Sequence, residues 1–152
     1  MTQARLSGQV AIAAAPAVVA AALRDPAVLR RMIPGCTEIV PTGPDAWSAR
    51  IEKAGGPVTL RLVAQLALET LRDGTDYVLT ARGKTLIAGS VSLRLALALT
   101  GTAGTTVLRH DGVLQAEGLA GRLLQGKEAQ IAARSDQLFS RLREHVEATA
   151  RA

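Results

Sequence analysis

The chain has 152 residues, 48% of them apolar and 20% charged. It is long enough to bury roughly two-thirds of its unfolded surface as a single domain spanning 1–152, which excludes a disordered segment. Its net charge of +5 attracts acidic matter, but the basic residues are scattered and aromatics are only 2% of the chain, so a base-stacking nucleic-acid binder is not expected.

Leu6, Gly8, Val10 and Ile12 alternate with Ser7, Gln9, Ala11 and Ala13, the period of a strand with one buried face. Pro16 opens a short helix that turns Val18, Val19, Ala22 and Leu23 inward and ends near Asp25. A second short helix spans Asp25–Ile33. Pro26 suits its first turn, where the missing N–H costs nothing. Val28, Leu29, Met32 and Ile33 fall on one side and Arg30 and Arg31 on the other, and Pro34-Gly35 stops it. So short a helix is marginal alone and must dock on something larger, as a lid or plug.

Thr37–Thr42 and Ala46–Glu52 read as short strands joined at Gly43-Pro44-Asp45, and Gly55-Gly56-Pro57 makes the next turn. Val58, Leu60, Leu62, Ala64, Leu66 and Leu68 then form one face of a long strand. Asp73-Gly74 signals a hairpin into Tyr77–Gly83, and alternation resumes over Ile87–Leu99. The last strand, Thr105 to about Ala116, is the least regular. From Gly118 the period becomes helical, with Leu119, Leu123, Ile131, Leu138, Leu142 and Val146 in one stripe. That helix would run roughly 30 residues, about 45 Å. Gly118, Gly121 and Gly126 weaken its first turns and would let it approach a sheet closely.

The order is strand, two short helices, six strands and a long helix, an α+β layer with its helices on one side of an antiparallel sheet. Trp47, Tyr77 and Phe139 are the only aromatics, so Leu, Val, Ile and Ala must fill the interior. Such filling can pack tightly or, under a strongly curved sheet, leave a hollow. The single cysteine, Cys36, precludes an internal disulfide. With no signal pattern and no run of about 18 apolar residues, the expected location is cytoplasmic.

Candidate chemistry is sparse. Cys36, just past a helix C-terminus, reads as a small packing residue, since that end of the dipole opposes a thiolate. His110 lacks partners at ligand spacing and reads as a strand histidine at a surface or cavity edge; His145 reads as solvated. Arg109 and Asp111 project to one side of the last strand. On a cavity side they would form a polar pole in an oily pocket; on the outside they are an ordinary surface pair. No metal cluster, nucleophilic triad or phosphate loop can be assembled, so no metal or catalytic residue is expected.

This order, and the motifs L-S-G-Q-V-A-I at Leu6–Ile12, A-L-R-D-P-A-V-L-R-R-M-I-P-G-C at Ala22–Cys36, G-P-V at Gly56–Val58 and D-Q-L-F-S-R-L at Asp136–Leu142, resemble the family of the CoxG subunit of carbon monoxide dehydrogenase, within the helix-grip (START-like, Bet v 1-like, SRPBCC) superfamily. The resemblance implies a curved seven-stranded antiparallel sheet wrapped around a long C-terminal helix, with two short helices after the first strand. It also implies a non-enzymatic accessory protein of a molybdenum hydroxylase of the carbon monoxide or xanthine dehydrogenase type. Such a protein would carry a quinone or another lipophilic ligand, or recruit the enzyme to the membrane through peripheral contact at its inner face. Registered on the glycines that follow, the last strand would turn Arg109, Asp111 and Gln115 to the apolar side; shifted by one, it would bury Leu108, His110, Gly112 and Leu114.

On this reading Leu29, Met32 and Ile33 gate the cavity, Trp47, Leu60, Leu62, Leu95 and Leu123 wall it, and Arg109 and Asp111 supply its polar end. The alternatives are an enzyme of the same superfamily, such as a cyclase or hydratase acting on an apolar molecule, and a pure assembly factor with a collapsed cavity.

Overall fold

The structure, a computed structural model, describes residues 2–55, 58–85 and 89–150, with the side chains at 53–55, 58–60, 85, 123 and 150 outside that description. Chain order is β1 (Thr2–Ile12), α1 (Pro16–Leu23), α2 (Pro26–Met32), β2 (Cys36–Gly43), β3 (Ala46–Gly55), β4 (Val58–Arg72), β5 (Asp76–Thr85), β6 (Gly89–Gly101), β7 (Thr106–Glu117), α3 (Gly118–Leu124) and α4 (Glu128–Ala150). The strands form one antiparallel sheet in the order β1-β7-β6-β5-β4-β3-β2. The helices lie on its concave side.

The sheet follows the period-two pattern closely. Inward residues align across the strands: Leu6, Gly112, Leu95 and Leu79 share one row, and Gly8, His110, Leu97 and Tyr77 the next. The last strand is as regular as its neighbours, pairing with β1 and β6 without interruption. Its tight approach to β6 requires Gly112, because a Cβ there would collide with the Arg94 carbonyl. Ile87 and the Gly56-Pro57 turn lie outside the described residues.

Two helical expectations are corrected. In α1 the buried stripe is Val19, Ala20 and Leu23, whereas Val18 is 47% exposed. The helix is therefore rotated by about one position from the expected face. The long C-terminal helix is broken in two, because Gly126 adopts a left-handed φ of +81° between α3 and α4. The break uncouples the two segments, so Leu119 is exposed on α3 while Phe139, Leu142 and Val146 of α4 are buried.

α3 tucks against β7 because Gly121 has no Cβ to meet the Ala116 carbonyl, and Thr2 Oγ1 donates to the Gly121 carbonyl at 2.6 Å. α2 is capped by Asp25, whose side chain accepts from the Ala27 N–H at 2.9 Å. Just past it Gly35, at φ +77°, abuts the Glu52 carbonyl so closely that a side chain would collide. α4 approaches β1 most closely and also packs against α1 and α2. That seat positions the site.

Candidate functional site

The inner face of the sheet changes character along its strands. At one end Trp47, Ala49, Ala64, Leu66, Leu68, Tyr77, Leu95, Leu97, Leu99 and Leu108 are buried, each 5% exposed or less, in one core with α1, α2 and the C-terminal half of α4. Toward the other end the same inward positions are only half-buried. On β2 and β3 these are Ile39 and Ile51, on β4 Leu62, and on β5 Leu79 and Ala81. On β6 and β7 they are Leu93 and Leu114. Ile131 and Leu138 of α4 and Ile33 at the end of α2 are half-buried as well. These side chains are apolar and together form a half-buried aliphatic belt, or shallow groove, between the inner face of the sheet and α4. Gly83 leaves room for Leu62 to lie across β5; a Cβ there would come within 2.7 Å of a Leu62 methyl.

The expected wall and gate residues divide between core and groove. Leu62 and Ile33 border the groove. Leu95, Leu29, Met32 and Trp47 are 0%, 2%, 3% and 4% exposed. These four side chains are packed in the core that the half-buried belt borders. The side chains of Leu60 and Leu123 lie outside those described.

The register of β7 is the shifted frame. Leu108, His110 and Ala116 point inward and are buried, while Arg109 and Asp111 are exposed on the convex face. Asp111 accepts there from Arg5 Nη2 at 3.1 Å and Nε at 3.3 Å. The polar pole expected from Arg109 and Asp111 is therefore not in the groove, because alternation places both on the side opposite His110.

The His110 side chain is not at a surface. It is 1% exposed beneath α4, stacked on Phe139 with ring centroids 4.4 Å apart. Ser135 Oγ donates to the Ala132 carbonyl at 2.6 Å and lies 3.2 Å from His110 Nε2. A serine hydroxyl has one proton to give, so Nε2–H donates to Ser135 and Nδ1 is left as an unpartnered buried acceptor. Burial pushes the His110 pKa below its ordinary value, opposed by Asp136 (3.9 Å away) and Asp111. Gly8 makes the cluster possible, since a Cβ there would collide with the Asp136 carboxylate and lie 2.9 Å from His110 Cε1.

Sequence reading missed Ser135, although it lies four residues after Ile131 and seven before Leu142, on the inward stripe. His145 is not freely solvated: its Nδ1 accepts from Arg31 Nη1 at 3.0 Å, linking α4 to α2. Cys36 is half-buried, and burial raises its thiol pKa. Among the described residues no group of acids, histidines and cysteines could hold a metal, and no helix is long and apolar enough to cross a membrane.

A curved antiparallel sheet with a C-terminal helix across its concave face defines a START-like, Bet v 1-like α+β protein. The chain is similar to a conserved protein from Geobacillus kaustophilus (TM-score 0.78, 19% identity, 95% of this chain and 96% of that one). It is also similar to an aromatase/cyclase from Streptomyces sp. R1128 (TM-score 0.63, 20% identity, 99% and 97%) and to a START superfamily protein from Mycobacterium smegmatis (TM-score 0.58, 14% identity, 88% and 98%). No curated protein matches it in sequence. The family of the CoxG subunit of carbon monoxide dehydrogenase matches residues 8–146, and the chain belongs to that family. Family and fold together support a protein that binds a hydrophobic ligand.

Proposed function

We propose that this protein is a non-enzymatic accessory protein that holds an apolar molecule, a quinone by preference, in the groove between the sheet and α4. It would serve a molybdenum hydroxylase of the carbon monoxide dehydrogenase type, loading its ligand at the periphery of a membrane. The observation that carries the reading is the belt of half-buried aliphatic side chains from six strands and α4 beside an otherwise sealed core. Apolar surface left open in this way lowers the free energy of any oily molecule that covers it. At about 25 cal/mol per Å², covering roughly 200 Å² of ligand supplies about 5 kcal/mol before the cost of association.

The alternative of a cyclase-like enzyme has support from the aromatase/cyclase likeness, but it needs two polar side chains converging in the groove. The inward polar pair, His110 and Ser135, is instead sealed beneath α4, each 3% exposed or less. The test is mass spectrometry of lipophilic extracts from gently purified protein, followed by calorimetric titration with a short-chain ubiquinone. Quinone in the extract, and binding lost in Leu62→Asp and Ile131→Asp variants with unchanged circular dichroism, are the expected results. A wild-type protein that carries no quinone and binds none on titration would overturn the proposal.

A further inference from the structure

The convex face of the sheet carries features that ligand binding in the groove does not use. The helices pack on the concave side, so among the described residues no helix covers this face. Of the exposed large apolar residues, Val40, Val63, Leu71 and Val113 lie here, at 36–59% exposure; Val18 and Leu119 lie elsewhere. The face also holds a depression of about 770 Å³. Its floor is the outward side of β6, where Ala96 and Ala98 are too small to fill the space between the flanking strands. Arg109 and Asp111 of β7 form one wall; Leu71 and Arg72 of β4 with Asp76 of β5 form the other.

The charges on this face follow a pattern. Arg5–Asp111, Arg50–Glu38, Arg61–Glu52 and Arg72–Asp76 pair across or along strands at 3.1–4.0 Å. Arg82, Lys84, Arg94 and Arg109 have no acidic partner within that range among the described residues, while the face's remaining acids are Glu69 and Glu117. Arg82 and Arg94 are diagonal neighbours, since Arg82 pairs with Ser92 and Arg94 with Thr80. Like charges so placed repel each other, and an opposing surface with carboxylates at matching positions would relieve that repulsion.

We infer that the convex face docks an acidic protein surface whose apolar projection seats in the Ala96–Ala98 trough. Seven strands about 4.8 Å apart and roughly ten residues long at about 3.4 Å each give a face on the order of 1,000 Å², enough for the ~800 Å² that each partner buries in a stable complex. Nucleic acid fits less well, because Trp47, Tyr77 and Phe139 are all inside and the face offers no ring for a base to stack on. A uniformly anionic lipid surface would oppose Glu38, Glu52, Asp76 and Asp111, which are interleaved with the cations. A second copy would bring the same excess of unpaired cations to both sides of the interface. A protein can match such a mixed pattern point for point.

The inference does not depend on the groove. A photo-reactive benzophenone amino acid is placed at position 98 or 63 in the full chain, with position 18 on α1 as control, and cross-linked in cells of the native host. The captured protein is identified, purified and titrated against the wild type and the Arg94→Glu/Arg109→Glu variant. The expected result is one acidic protein captured from positions 98 and 63 and not from 18. Its purified form should bind at least about tenfold more weakly to the double variant, and more weakly as salt rises from about 0.1 M to about 0.5 M. Quinone binding by the double variant should match the wild type. The inference is overturned by capture of this chain itself, by capture of nothing beyond the control, or by a purified partner indifferent to the charge reversals. Preferential binding of the wild type to phosphatidylglycerol vesicles through Arg94 and Arg109 would also overturn it.

Discussion

Replacing His110 with leucine should flatten the dependence of stability on pH between about 7.5 and 5. The folded protein holds this imidazole neutral, because its side chain is buried beneath α4 and burial lowers its pKa. In the unfolded chain the same group titrates near the ordinary histidine value of about 6.5. Below that value the unfolded state binds a proton that the folded state resists, so stability falls as pH drops; well above it, this group contributes no pH dependence. Were the folded state to stay wholly neutral down to pH 5, the loss on going from about 7.5 to about 5 would be about 2 kcal/mol for one histidine. The Asp136 carboxylate at 3.9 Å favours the protonated ring, so the observed loss should be somewhat smaller. The measurement is urea unfolding of wild type and His110→Leu at both pH values, comparing the change with pH and not the absolute stability, which cancels the packing cost of the substitution. Equal changes in the two proteins would refute the placement of His110 as a buried neutral imidazole.

Other outcomes follow from the same geometry. Phe139→Ala should destabilise by about 3–5 kcal/mol in urea unfolding, because Phe139 is 1% exposed and stacks on His110. Gly8→Ala should cost about 1–3 kcal/mol, since its new methyl meets Asp136 and His110. Adding Asp136→Ala should recover part of that cost, because the Asp136 side chain is 61% exposed and its removal frees the space.

Most of the architecture was legible because alternation over long strands leaves few choices. The β4 pattern of Leu62, Ala64, Leu66 and Leu68 against Arg61, Val63 and Gln65 fixes both a strand and its buried side. The α2 turn was equally plain, since Pro26, Pro34 and Gly35 each have a specific backbone task there. The pattern was silent where two frames carry similar residues. On β7, both Leu108-His110-Leu114 and Arg109-Asp111-Val113 include polar groups, and only pairing with β1 and β6 decides between them. The helix break was signalled by Gly126 but could not be told from a tolerated glycine without its φ of +81°. The groove itself was beyond reach of the sequence, because Leu95 and Leu93 are the same residue two positions apart. One is sealed and the other half-open according to where each falls beneath the packed helices.

The small side chains that make the interior possible also shape both candidate surfaces. Gly8 and Gly121 let helical segments sink onto the β1–β7 edge, and a helix held closest to that edge stands farther from β3, β4 and β5. The aliphatic groove is thus a consequence of close packing elsewhere, not of a shortage of core residues. On β6 the same economy of volume appears outside: Leu95 and Leu97 fill the core while Ala96 and Ala98 leave the trough. The two hollows lie on opposite faces of one sheet about one strand layer thick. A protein docked on the convex side therefore leaves the groove free to load and release its ligand, so occupancy of either site should leave affinity at the other unchanged.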